Sequence, residues 1–412
     1  MSTAAGTASP VEGRGSPFEV LRIFMRLGLT SFGGPVAHLG YFRVEFVERR
    51  CWLDEAAYAD IVALCQFLPG PASSQTGISI GILRAGLPGG FFAWLGFTAP
   101  SALAMILFGY GVAAFGNPAD SAWLHGLKIV AVAVVAQAVW GMAKNLCPDR
   151  ERATIAVGAA MVALAIPSAP GQISAIAAGG LIGWGLLRAE PHPQPQSSLA
   201  VHLPRAWSMI ALVGFFALLV GLPLLATAVP SHTLALFDSF YRSGALVFGG
   251  GHVVLPLLQA SVVPPAWVTS DAFLAGYGAA QAVPGPLFTF AAYLGTVMGP
   301  KPNGWLGGLI CVVAIFLPSF LLLIGALPFW DTLRRRPDVQ SALRGVNAAV
   351  VGLLLAALYK PVWISAIFGP ADFALGIVGF LLLAFWAVPP WLVVIFGAAA
   401  ATVVSGIPML NG

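Results

Sequence analysis

Arg26 and Arg242 each lie inside an apolar run, in FMRLG and FYRSG, and each is followed by a Phe-Gly-Gly triplet. An ionised side chain in such a run is costly and is usually functional. Guanidinium is planar, permanently charged and suited to tetrahedral oxyanions. The alternative is that both arginines snorkel to the membrane surface. The triplets Phe32-Gly33-Gly34 and Phe248-Gly249-Gly250 predict breaks in the helices that carry them. Pro69-Gly70-Pro71 and Pro284-Gly285-Pro286 predict two more. A break exposes a helix N-terminus, whose free N–H groups and partial positive charge bind anions. Proline directly after a break leaves the next turn intact, because its N–H would be unpaired anyway. Ser73 and Ser74 follow the first Pro-Gly-Pro, and Gln66 and Gln281 precede the two turns. Hydroxyls and amides there could complete a shell around an oxyanion, with Arg26 and Arg242 supplying charge. The alternative for the glycines is close helix packing.

Three further residues are candidate proton carriers. His38 and His252 lie just beyond the double glycines, and histidine exchanges protons near neutral pH. The plainer reading of each is a satisfied packing residue. Asp60 sits in the arm leading to Pro69, and its counterpart in the second half is Ala275. An intramembrane carboxylate carries protons or pairs with an arginine such as Arg26 or Arg43. Arg84 marks the end of that hairpin.

The elements that must position these residues are set by composition. Hydrophobic residues make up 58% of the 412, charged residues 9%, and mean hydropathy is +0.87. A soluble domain carries about 25% charged residues, and a spanning helix needs about 20 mostly apolar ones. The reading is an all-α polytopic membrane protein in the lipid bilayer, with roughly 10–13 membrane segments. A net charge of +4, spread through short loops, is not a nucleic-acid signal. The four cysteines form no CxxC and no metal spacing, so neither metal nor cofactor is expected.

The chain reads twice. Trp52 to Pro71 aligns without gaps on Trp267 to Pro286, Pro100-Ser101 answers Pro318-Ser319, and Leu124-x-Gly126 answers Leu343-x-Gly345. Residues 1–17 read as a disordered cap, 18–188 as the first repeat, 189–232 as a linker plus one extra transmembrane helix, and 233–412 as the second repeat. Within the first repeat, 54–86 reads as a hairpin meeting at Pro69-Gly70-Pro71. Longer apolar runs follow at 88–114, 123–143, 153–168 and 171–188. The loop 43–53 holds Arg43, Arg49 and Arg50, and its counterpart 259–270 holds no Lys or Arg. The loop 115–122 holds none, and its counterpart holds Arg334, Arg335 and Arg336. Basic loops face the cytoplasm, so equivalent loops face opposite sides. The two halves are expected to be inverted repeats with broken or re-entrant helices.

The clusters LGLTSFGGPVAHLGYFRVEFVERRCWL (27–53), QFLPGPASSQTG (66–77), FGGGHVVLPLL (248–258) and QAVPGP (281–286) resemble the chromate ion transporter family in its two-domain form. The resemblance implies export of chromate across the bacterial inner membrane, with sulfate as a competing analogue and coupling to protons. It leaves a homodimer open. No GxxxxGK[ST] phosphate loop is present, so ATP is not expected as the energy source. Two rivals stand beside the transporter reading. A membrane enzyme acting on a lipid phosphate would want Glu pairs and an Arg-Ser cluster beside the turns, which the turns lack. A passive anion channel differs from a transporter only in its fluxes.

Overall fold

A computed structural model describes residues 15–114, 122–187, 204–248, 250–333 and 336–405. The expected cap up to residue 14, the loop 115–121, the linker 188–203, Gly249, Arg334 and Arg335 lie outside the described residues. Every regular element described is a helix.

The first half opens with α1 (Pro17–Thr30), where Ser16 accepts from the Phe18 N–H and Pro17 takes the first helical position. The chain breaks at Gly33 and Gly34, whose φ angles are +101° and +78°, and continues as α2 (Gly34–Arg43) and a wide turn, Val44–Arg49. Asp54 caps α3 (Glu55–Phe67) by accepting from the Ala57 N–H at 2.7 Å. Pro69-Gly70-Pro71 reverses the chain, with Gly70 at φ +129°. α4 (Ala72–Ala114) is interrupted at Ala85 and Gly86 into a short arm and a long one. The short arm and α3 form the expected hairpin. α5 (Ala122–Leu146), α6 (Arg150–Ala165) and α7 (Ala169–Leu186) follow. α6 has 16 residues and α7 has 18, fewer than the ~20 of a full crossing. Ser168, which caps α7 through the Gly171 N–H, cuts the apolar stretch there.

After α8 (Arg205–Ala228) the plan repeats. α9 (His232–Ala245) answers α1. A short turn, Gly251–Val253, and α10 (Val254–Val262) answer α2, and α11 (Ser270–Ala280) answers α3. Leu287–Thr289 with α12 (Phe290–Val297) answers the short arm of α4, and α13 (Gly304–Ala326) answers its long arm. After the single turn α14 (Trp330–Leu333), α15 (Pro337–Ala357), α16 (Pro370–Ala384) and α17 (Pro390–Ser405) answer α5, α6 and α7.

The halves are interlocked rather than side by side. α6 and α7 pack on α15, and α16 and α17 pack on α5. A Cβ on Gly126 of α5 would run into the Gly397 carbonyl of α17; a Cβ on its counterpart Gly345 would run into the Gly179 carbonyl of α7. Small residues let helices approach closely in lipid. Such reciprocal contacts are those of a two-fold relation, in which each patch meets its own counterpart. With α8 inserted between the halves and the loop charges exchanged, this is the inverted-repeat architecture.

Among the described residues five stretches are long and apolar enough to cross a membrane: Ala72–Val112, Ala122–Leu146, Arg205–Ala228, Gly304–Phe329 and Pro337–Trp363. α8 turns Trp207, Ile210, Val213, Phe216 and Val220 outward, as a lipid-facing helix must when its surroundings are apolar. The centre is filled by Phe273, Tyr277, Phe288, Phe290 and Tyr293 against α4, α5 and α13.

Candidate site at the helix breaks

The helix breaks meet at the centre, where each half's turn touches the other half's break. The Gly70 N–H donates to the Val247 carbonyl at 2.7 Å, and the Gly285 N–H donates to the Ser31 carbonyl at 3.0 Å. Gly70 faces the Ser319 hydroxyl and Gly285 faces the Ser101 hydroxyl, the serines of the matched Pro-Ser pairs. The left-handed φ of both glycines, +129° and +99°, strains any other residue at these positions.

On the Gly285 side the structure opens into a cavity of about 400 Å³. It is lined by Phe32, Gly33, Gly34 and Pro35 at the start of α2, and by Gly285 and Leu287 at the turn into α12. His252 in the turn into α10, and Pro390 and Trp391 at the start of α17, close it. Four helix N-termini therefore border one space. No side chain caps α2, the Leu287 turn or the Gly251 turn. None of the described residues lining the cavity is Lys, Arg, Asp or Glu.

The polar side chains there form a short network. His252 Nδ1 and the Tyr277 hydroxyl are 2.7 Å apart. Gln281 Nε2 is buried and has no hydrogen-bond partner. A buried, unpaired amide donor costs free energy unless something accepts from it. Gln137 Nε2 donates to the Leu383 carbonyl at 3.1 Å and fixes α5 against α16.

The counterpart region around Gly70 is closed. Gln75 Nε2 donates to the Pro69 carbonyl at 2.8 Å, and Pro71, Ser73, Ser74 and Gln75 are all buried. Ser31 Oγ, Ser74 Oγ, Gln75 Oε1 and Ser319 Oγ have no partner there. Gln66, the sequence counterpart of Gln281, is exposed, and Pro69 is half-buried.

The other expected residues are dispersed. His38 is buried beside Ser73, with Nδ1 at 3.3 Å from its hydroxyl and Nε2 unpaired, and it packs edge-on against Phe97. Asp60 is buried within α3 and is not without a partner. Arg26 is exposed on α1. Arg242 Nη2 donates to the buried Asp238 Oδ2 at 2.6 Å, one turn earlier on α9. Neither arginine lines the cavity. Gly250 adopts φ +138°, and Gly249 lies outside the described residues. Pro284 and Pro286 hold the turn but do not line the cavity.

Sequence reasoning missed Tyr277, Gln137 and the α16–α17 turn. Tyr277 carried a usable signal, one helical turn before Gln281 on α11. Gln137 is an amide set in the apolar stretch 129–143 of α5. The α16–α17 turn reaches the cavity only through the crossover of the halves.

Paired broken helices, reciprocal contacts between repeats and a cavity bordered by helix N-termini are the features of an inverted-repeat membrane transporter. The family model described as Chromate transporter matches residues 18–184 and 234–402, one stretch in each repeat. The chain belongs to this family. A chromate transport protein of Pseudomonas aeruginosa is 30% identical over 339 residues, covering 80% of this chain and 77% of that protein. A chromate transport protein of Cupriavidus metallidurans is 26% identical over 349 residues, 82% of this chain and 81% of that one. An uncharacterized transporter of Bacillus subtilis is 33% identical over 125 residues, which cover 30% of this chain and 68% of that protein. No solved structure matches.

Proposed function

We propose that this protein carries chromate across the bacterial inner membrane and binds the dianion in the cavity between Gly33-Gly34 and Gly285. The observation that carries this reading is a cavity bordered by helix N-termini and, among the described residues, by no acidic one, with the unpaired Gln281 Nε2 buried in its wall. Each N-terminus is equivalent to roughly half an elementary positive charge. Four of them approach the two negative charges of chromate or sulfate, so a fixed cation in the cavity is not required. Backbone N–H groups at Gly33, Gly34 and Leu287 supply directional donors. The lack of Lys and Arg suits a carrier, which must release its cargo.

The closed region around Gly70 is the same site in its other state. When the repeats exchange conformations, Gln75 leaves Pro69 and the first turn opens toward the opposite side, as alternating access requires. His252, joined to Tyr277 beside the bound anion, is the proton carrier, and export is driven by the proton gradient. His38 and Asp60 serve the first repeat in the same capacity.

Chromate and sulfate flux in everted vesicles, with and without a proton gradient, tests this reading. Gradient-dependent chromate uptake, reduced by competing sulfate, is expected. Flux that ignores the gradient and merely follows the chromate concentration makes the protein a channel.

A further inference from the structure

α1 and α9 hold equivalent places, yet their outward charges differ. On α9, Asp238 stands one turn before Arg242 and accepts from it at 2.6 Å. On α1 the same two positions are Arg22 and Arg26, both exposed on one face. Like charges one turn apart repel, so this pair needs a negative group from elsewhere. Glu19, the acid on the same helix, is engaged by Arg50 and Arg84. Among the described residues no acidic side chain pairs with Arg22 or Arg26.

The cover differs as well. α8 lies across α9 and α13, and a Cβ on Gly325 of α13 would stand 2.6 Å from Leu212 of α8. In the first half the matching surface of α1 and the long arm of α4 is open. Leu29, Leu103 and Leu107 are 56%, 47% and 55% exposed. By the Pro100–Pro318 register, Leu107 stands where the second half has Gly325. A helix cannot approach there as α8 approaches Gly325, whereas a flexible hydrocarbon chain can. The polarity is also ordered. Glu19 and Arg84 lie at the start of α1, the two arginines follow, and the exposed leucines come last.

We propose that this face binds one anionic phospholipid. Its phosphate bridges Arg22 and Arg26 and does for them what Asp238 does for Arg242. Its acyl chains cover Leu29, Leu103 and Leu107 in the place that α8 takes in the other half. Arginine suits phosphate through paired N–H donors, and anionic lipids attract basic groups at the membrane surface.

The test uses the full-length protein in detergent, with phosphatidylglycerol or phosphatidylethanolamine added and bound lipid counted by native mass spectrometry. The wild type is expected to retain phosphatidylglycerol about fivefold better or more. Arg22→Asp rebuilds the acid–arginine pair of α9 within α1. It should remove the preference while thermal stability is kept. Arg22→Gln with Arg26→Gln should remove it too, and Arg150→Gln, on a 92% exposed side chain of the α6 terminus, should not. Equal retention of the two lipids by the wild type overturns the proposal. So does an unchanged preference in Arg22→Asp, or an equal loss in Arg150→Gln, which would mark diffuse surface charge. The readout needs no transported anion, so the result stands whether or not the cavity binds chromate.

Discussion

The Gly70 N–H donates to the Val247 carbonyl at 2.7 Å, so the turn of one repeat is pinned to the break of the other. Gly285 and Ser31 make the mirrored bond at 3.0 Å. Each bond joins a reversal point to a helix break, so a shift in one repeat must be felt in the other. Coupling by direct bonding of this kind is what a two-state carrier needs.

Alanine at Gly70 should strain the turn twice over. Its Cβ would stand 2.7 Å from the Ser319 hydroxyl, and the φ of +129° disfavours any side chain. Gly285→Ala meets the Ser101 hydroxyl at 2.8 Å. Each variant is expected to lower chromate flux by about tenfold or more, the effect of ~1.4 kcal/mol. Flux normalised to inserted protein is the measure; wild-type values for both would reduce the turns to packing elements.

Gln281 is the sharpest test of the cavity. Gln281→Ala removes the unpaired donor and should weaken chromate binding by about tenfold, since one hydrogen bond to a charged group contributes ~1.5 kcal/mol or more. Gln281→Glu, similar in size, sets a carboxylate against the dianion and should abolish flux. Isothermal titration of the purified protein, together with vesicle flux, reports both. Unchanged affinity in Gln281→Ala would move the anion elsewhere.

Arg242 and Asp238 predict a different phenotype. Asp238 is 5% exposed on its side chain and is neutralised by Arg242. Arg242→Gln leaves a buried carboxylate without its partner, which costs several kcal/mol, commonly about 3. Protein abundance should fall several-fold while flux per inserted molecule stays near normal. Adding Asp238→Asn should restore abundance. A loss of flux at full abundance would instead make Arg242 a ligand of the anion.

The topology can be read by cysteine labelling. Cys51 is exposed in the Arg43–Trp52 region and should react from the cytoplasmic side. A cysteine placed at Pro265, in an otherwise cysteine-free protein, should react only from the outside. Reaction of both from one side would make the halves parallel.

Much of this protein was legible from residue types and spacing. Apolar content and scarce charge require membrane helices, because a bilayer leaves no other way to satisfy the backbone. The duplicated Phe-Gly-Gly and Pro-Gly-Pro motifs place the breaks, because glycine and proline act on the local chain wherever they occur. Loop charges point to inversion for the same reason: each acts at its own position. The site was legible only in part. Gln281 and Gly33-Gly34 were singled out from spacing, yet nothing local says that Gly285 meets Ser31, or that α17 crosses to α5. Asp238, four residues before Arg242, is within local reach on one helix, yet only folding buries that carboxylate. Gln66 and Gln281 are equals in the alignment and unequal in space, one exposed and one lining the cavity. Those outcomes belong to tertiary structure, because burial and pairing depend on which distant segments arrive. A duplicated sequence carries no mark of which copy stands open.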